Sequence, residues 1–355
     1  MQISTPGLSV ATAIRDATAV AMREDASVIL CGLGVNDPGR VFGTTSGLVE
    51  EFGVDRVFET PTAENAMMGV AVGAALAGFR PIVTHQRADF FYLALDQLVN
   101  SAAKWRFMFG SQFSVPLVVR LIVGRGWGQG PTHSQNLATW LSHVPGIKVV
   151  YPSNATNAGI LLREAVQDNN PVVYVEDRWL HNQTLESDRE RELTLGSPVF
   201  RRVGGDFTVV AYGSMVTEAL SAADKLVALG ANVDVIDLGT LLPLNFQPVQ
   251  ESVTRTRRLL VVEPGPVRGS FGEALVGKVI SSLIGSCELA YVRVIGPPFI
   301  PQPTSFGATR DLYPTGLSIA ETVAEHLGLD LTKLASESVV GLPHDVSNSS
   351  FSGPF

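Results

Sequence analysis

The sequence predicts an α/β protein of two domains, each a mainly parallel sheet covered by helices. Three observations carry that reading. Along the first half, short apolar runs alternate with stretches of helical periodicity, the pattern of βαβ units whose sheet is covered on both faces. The alternation resumes after a polar stretch, His181-Asn-Gln-Thr-Leu-Glu-Ser-Asp-Arg-Glu-Arg191, which reads as a linker. A chain of 355 residues is also long enough for two domains, each with its own core. The expected boundaries are a first domain over 1–185, a linker over 186–198, a second domain over 199–329 and a tail over 330–355.

Val10, Ala13, Ile14, Ala17 and Ala21 recur at helical spacing and predict an amphipathic opening helix. Strands are expected at 28–34, 56–60, 81–86, 115–124, 147–153 and 171–177. Between most of them lie helical stretches, notably 89–109, 133–144 and 157–167. The stretch from Thr60 to Gly78 organises this half. It reads as a turn into a helix of small residues, with Pro61 in the first turn, Thr62 as cap and Gly78 as stop. Gly69, Gly73, Ala74 and Ala77 are too small to fill space, so another backbone is expected to come close. Glu64 stands at the helix start, and taken alone it is a first-turn acid favoured by the helix dipole.

In the second half, strands at 208–213, 232–238, 259–263 and 289–295 alternate with helices at 216–229, 246–256 and 272–283. Right-handed crossovers follow from that order. No catalytic cluster stands out in this half, whose expected job is assembly. Past Leu329 the text becomes rich in Ser, Pro and Gly and reads as a disordered tail, with Phe351 and Phe355 as anchors for a neighbour.

Composition narrows the function. Hydrophobic residues make up 45% and charged residues only 17%, low for a protein that stands alone, so a partner is expected to cover much of its surface. A net charge of −8 and a pI near 5.3, with no basic cluster, argue against nucleic acid. Cys31 and Cys287 have neither pairing nor metal spacing, which fits a reducing compartment. No run approaches a membrane span and the first residues lack the pattern of a signal peptide, so a cytoplasmic protein is expected.

Open parallel sheets bind ligands at the carboxyl ends of their strands. Three loops there are chemically unusual: 60–64, 86–90 and 124–133. The last, Gly124-Arg-Gly-Trp-Gly-Gln-Gly-Pro-Thr-His133, has four glycines in its first seven residues. It is neither a Walker phosphate loop, since no Gly-Lys-Ser/Thr follows, nor a dinucleotide fingerprint, since the glycine spacing is wrong. Such a loop can place His133 at a pocket mouth; a helix-capping histidine beside a loose loop is the competing reading. No metal-ligand set is legible in the chain.

The order of pieces resembles the beta subunit of the thiamine-diphosphate-dependent decarboxylating component of 2-oxo acid dehydrogenases, and the corresponding halves of transketolase. The residues that carry it include Gly47-Leu-Val-Glu-Glu-Phe-Gly53, Arg56-Val-Phe-Glu-Thr-Pro61, Glu64 and Arg80-Pro-Ile-Val83. They continue with Ala94-Leu-Asp-Gln-Leu-Val-Asn100, His133-Ser-Gln135, Pro145-Gly-Ile-Lys-Val-Val150 and Ala211-Tyr-Gly-Ser214. The resemblance spans roughly 8–328 and implies a pyrimidine-binding domain followed by a transketolase C-terminal domain. It implies that Glu64 hydrogen-bonds the N1′ atom of the cofactor's aminopyrimidine and shares a proton with it. Phe90 matches an aromatic that stacks on that ring, Met67 lies in the same binding stretch, and His133 matches an active-site histidine that moves protons.

Arg87 departs from the family, which usually has Phe there, and places a guanidinium beside the cofactor. Arg125, Trp127 and Gln135 are expected to select the substrate. The chain has no Gly-Asp-Gly motif, and Asn169-Asn170 has no such partner upstream, so Mg²⁺ and diphosphate are expected to be held by an alpha-type subunit. The resemblance implies a heterotetramer acting on a small 2-oxo acid, with a lipoyl acyltransferase as a candidate acceptor. Two other readings stay open: a split transketolase-like enzyme that moves a two-carbon unit to a sugar or aldehyde, and a non-catalytic assembly subunit.

Overall fold

The computed structural model describes residues 8–124, 129–184 and 193–334. Its strands are β1 Val28–Gly32, β2 Val57–Glu59, β3 Arg80–His85, β4 Val118–Val123, β5 Lys148–Val150, β6 Val172–Asp177, β7 Val199–Arg202, β8 Phe207–Ala211, β9 Val233–Asp237, β10 Thr240–Leu242, β11 Arg258–Val262 and β12 Tyr291–Ile295. They form a seven-stranded sheet in the order β10-β5-β6-β4-β3-β1-β2 and a five-stranded sheet in the order β12-β11-β8-β9-β7. All pairings are parallel except β10 on β5 and β7 on β9. The expected α/β architecture of mainly parallel sheets is therefore present. Strand β4 is buried along its whole length, as a central strand covered on both faces must be.

The domains are more closely joined than the linker implied. Strand β10 belongs to the second half of the chain but closes the edge of the first sheet. One apolar cluster then runs from Met68, Val83 and Val119 through Tyr151 and Tyr212 to Val261 and Phe271. Two further clusters line the outer faces of the two sheets. The two sheets thus share their largest core, and each has a further cluster of its own. Residues 185–192, most of the expected linker, and tail residues 335–355 lie outside the described residues.

Several element boundaries differ from expectation for local reasons. The helix after β2 spans Glu64–Leu76 with Ala63 at its cap position and no side-chain cap, so neither Thr62 nor Pro61 takes the expected role. No backbone among the described residues approaches Gly73, and the nearest group to a Cβ at Gly69 is the Gln97 side chain at 3.6 Å. Val70 on this helix is 71% exposed and Phe107 on Ala103–Met108 is 89% exposed, an apolar surface left open in the single chain. The expected helix 89–109 is a relay of short pieces: an α turn at Ala88–Phe91, a 3₁₀ turn at Tyr92–Ala94, a π turn at Gln97–Ala102 and an α-helix to Met108. Not foreseen were Leu48–Phe52, β7, β10, Phe306–Thr309 and the long helix Gly316–Leu327.

Beneath the first sheet lies a buried ionic group. Arg120 on β4 donates from Nε to Glu176 on β6 at 2.5 Å and from Nη2 to Thr44 at 2.7 Å. The Nε2 atom of His181 faces the same carboxylate at 3.3 Å. All three side chains are fully buried. Burial opposes the Glu176 charge, but Arg120 and His181 outweigh it and hold the carboxyl down at about 2. The stability this gives is present above the ordinary carboxylate range and is lost as pH falls towards 2. Glu176→Ala leaves a buried guanidinium without its partner and is expected to cost about 3–5 kcal/mol in urea unfolding at neutral pH. A loss below about 1 kcal/mol would show that the arginine finds water or another acceptor.

Candidate active site

The carboxyl ends of β2, β3 and β4 present the three loops singled out from sequence. Glu64 begins the helix that follows β2. Its side chain is buried, and no hydrogen bond or ion pair holds it among the described residues. Its oxygens are not sealed off from solvent, so a partner from outside the chain can reach them. One turn on, Met67 is buried and its sulfur accepts from the Thr60 hydroxyl at 2.8 Å, which ties the entering loop to the helix.

Phe90 and His133 come together from the ends of β3 and β4. Their rings meet edge to face, with centroids 5.4 Å apart and an interplanar angle of 86°. Phe90 is 40% exposed, which leaves ring surface open to a ligand. The Nδ1 atom of His133 lies 3.0 Å from the Thr132 hydroxyl. Arg87 caps the turn that carries Phe90 and is half-buried; burial pulls its guanidinium below the usual range, against the charge of Asp89. No acid among the described residues forms an ion pair with it. Arg125 and Trp127 lie outside the described residues.

Asp89, which sequence reasoning passed over, links the two loops. Its Oδ1 accepts the backbone N–H of Gln135 at 3.2 Å and the Gln135 side-chain amide at 2.9 Å. Gln135, expected to select substrate, therefore has its amide engaged in holding its own loop. No helix begins at His133; the helix is confined to Ala138–Ser142. His133 itself lies in a turn.

Behind this segment lies a second polar group. Asn136 donates from Nδ2 to the Tyr151 hydroxyl at 3.0 Å. The Tyr151 ring packs at 5.4 Å on Tyr212, whose hydroxyl donates to Glu263. Burial pushes the Glu263 carboxyl up to about 7, against the donors Tyr212 and Gly272. Both tyrosines are raised well above their ordinary range by burial. Nothing in the spacing of these residues marked them in advance, because they are far apart in sequence and the two pairs are joined only where Tyr151 meets Tyr212 between the halves. Among the described residues, no group of three or more His, Cys, Asp or Glu side chains is arranged to hold a metal ion.

Comparison with known proteins bears on this arrangement. Residues 7–183 match the family model of the transketolase pyrimidine binding domain, and residues 196–325 match that of the transketolase C-terminal domain. The chain is 36% identical to the pyruvate dehydrogenase E1 component subunit beta of Rhizobium meliloti, over 89% of this chain and 69% of that protein. It is 37% identical to the acetoin:2,6-dichlorophenolindophenol oxidoreductase subunit beta of Cupriavidus necator, over 88% of this chain and 95% of the other. A structure titled as a split gene transketolase, inactive beta4 tetramer, superimposes with a TM-score of 0.73 at 21% identity, covering 93% of this chain and all of that one. At that identity the likeness is one of fold.

The Asp89–Gln135 link is open to a direct test. Asp89→Ala removes two hydrogen bonds to a charged acceptor, each worth about 1.5–3 kcal/mol. Amide exchange at Gln135 is expected to quicken at least tenfold, while Asp89→Asn, which keeps an Oδ1 acceptor, changes it much less. Equal exchange in wild type and Asp89→Ala would mean that the segment is held elsewhere.

Proposed function

The chain belongs to the transketolase-like family that includes the beta subunits of pyruvate dehydrogenase and acetoin oxidoreductase, and from that premise we propose that it is the beta-type half of a thiamine-diphosphate enzyme that decarboxylates a 2-oxo acid and transfers the resulting unit. The observation that carries the proposal is Glu64, a buried carboxyl group at a strand end with no donor of its own among the described residues. A ring nitrogen on an aminopyrimidine is a partner of the right kind, since it can share a proton with the carboxyl group. When bound, the cofactor supplies a carbon nucleophile and an electron sink.

The chain's own residues have defined tasks in this reading. Glu64 holds a proton at the pyrimidine nitrogen and so sets the state of the ring. Phe90 offers its open face to that ring, and Met67 backs the helix turn beneath it. His133 gives or takes a proton at the reacting carbon, its orientation held by the edge-to-face contact with Phe90 and by the Thr132 hydroxyl. Arg87, half-buried, offers positive charge to an anionic group beside the cofactor.

The diphosphate and its Mg²⁺ are assigned to an alpha-type partner subunit, because this sequence lacks the Gly-Asp-Gly motif that holds them in thiamine enzymes. The exposed apolar surface around Val70 and Phe107 is the face such a partner would cover. Two such pairs would form a heterotetramer.

Glu64→Gln keeps the size of the side chain but cannot shuttle a proton. In the complex with the partner subunit, hydrogen–deuterium exchange at the thiazolium carbon is expected to slow by about two to four orders of magnitude. Wild-type exchange in this variant would leave Glu64 as an acid at a helix start and nothing more.

A further inference from the structure

The segment that carries His133 is held from behind by the second domain. A Cβ at Gly130 would fall 2.7 Å from the Thr304 hydroxyl, and a Cβ at Gly265 would fall 2.6 Å from the backbone oxygen of Asn136. The backbone N–H of Phe271, at the start of the helix Phe271–Leu283, donates to the Thr139 hydroxyl at 3.2 Å. Thr139 also sits beside the Tyr212 hydroxyl. Tyr212 in turn donates to one oxygen of Glu263, and the other oxygen accepts the Gly272 N–H at 2.5 Å. A single buried carboxylate thus joins the end of β8, the end of β11 and the start of the helix that holds Thr139.

These contacts matter because residues 134–137 form neither strand nor helix. Without a ladder of backbone hydrogen bonds, their course is set by what touches them. Asp89 acts on the near side, at Gln135. On the far side, Asn136 meets Tyr151 of the first domain, and the remaining contacts named above come from the second domain. Gly265 is fitted to this role, since any side chain there would push the Asn136 backbone.

We propose that the second domain positions His133 for proton transfer, with Tyr212, Glu263 and Gly265 as positioning residues that fix the course of 134–139. This rests on the reading of His133 as the proton-transferring group. It gives the second domain a part in turnover, beyond assembly. A displacement of about 1 Å at a catalytic group can cost on the order of a hundredfold in rate, so a modest loosening of this support is enough to be read kinetically.

The test uses the full complex with its partner subunit and compares Tyr212→Phe, Thr139→Val, Gly265→Ala, Glu263→Gln and His133→Ala. Turnover, KM for the 2-oxo acid, KM for thiamine diphosphate and the assembled mass are measured for each. Tyr212→Phe, Thr139→Val and Gly265→Ala are expected to lower kcat by roughly ten- to a hundredfold with assembly and cofactor KM unchanged. Glu263→Gln is expected to stay within about threefold of wild type, because an amide keeps an acceptor for Gly272 and a hydrogen-bonding group for Tyr212. Wild-type kcat in the first three, in complexes that His133→Ala inactivates, overturns the positioning role alone. A loss of kcat that follows loss of assembly overturns it as well. Full turnover in His133→Ala removes the reading of His133 and this inference with it.

Discussion

Two hydrogen bonds into one oxygen of Asp89 determine where the loop after β4 can lie. The donors are the backbone and side chain of Gln135, two residues beyond His133, and the acceptor stands next to Phe90. The link therefore brings the ends of two neighbouring parallel strands into one site and sets the Phe90 and His133 rings edge to face. An imidazole at the end of a glycine-rich loop would otherwise have many accessible positions.

The shared core between the two sheets follows from β10, a short strand that leaves the second domain to close the edge of the first sheet. That exchange presses Tyr151 against Tyr212 and the Gly265 loop against Asn136. An apolar cluster common to both halves makes their relative position a property of the fold, not of the linker. It is this fixed relation that allows residues more than a hundred positions apart in sequence to support one loop.

Much of the fold was legible in the sequence because period and strand length are local signals. The apolar runs behind β1 to β6 and β8, β9, β11 and β12 all became strands. The family was legible too, through stretches such as Arg56-Val-Phe-Glu-Thr-Pro61 and Pro145-Gly-Ile-Lys-Val-Val150. Less legible was anything decided by tertiary contact. Helical spacing extends over 133–144, but the helix itself is confined to Ala138–Ser142, and 134–137 follow contacts with Asp89 and Tyr151. Strand β10 is three residues long and has no pattern of its own. Glu263 and Tyr212 lie at strand ends, and only the folded structure shows that both are buried, bonded to each other and, through Tyr212, packed on Tyr151. The helix of small residues was expected to let another backbone come close, but among the described residues no backbone approaches Gly73 and only the Gln97 side chain lies near Gly69.

The central claim is that this chain brings the acid and base chemistry to a thiamine-diphosphate site completed by another subunit. The most direct measurement is a structure of the complex with the alpha-type subunit, thiamine diphosphate and Mg²⁺. The account predicts the Glu64 carboxyl group within about 2.6–3.2 Å of the aminopyrimidine nitrogen N1′, with the metal and diphosphate held by the partner. A cofactor bound wholly within this chain, or one whose pyrimidine lies away from Glu64, would contradict it.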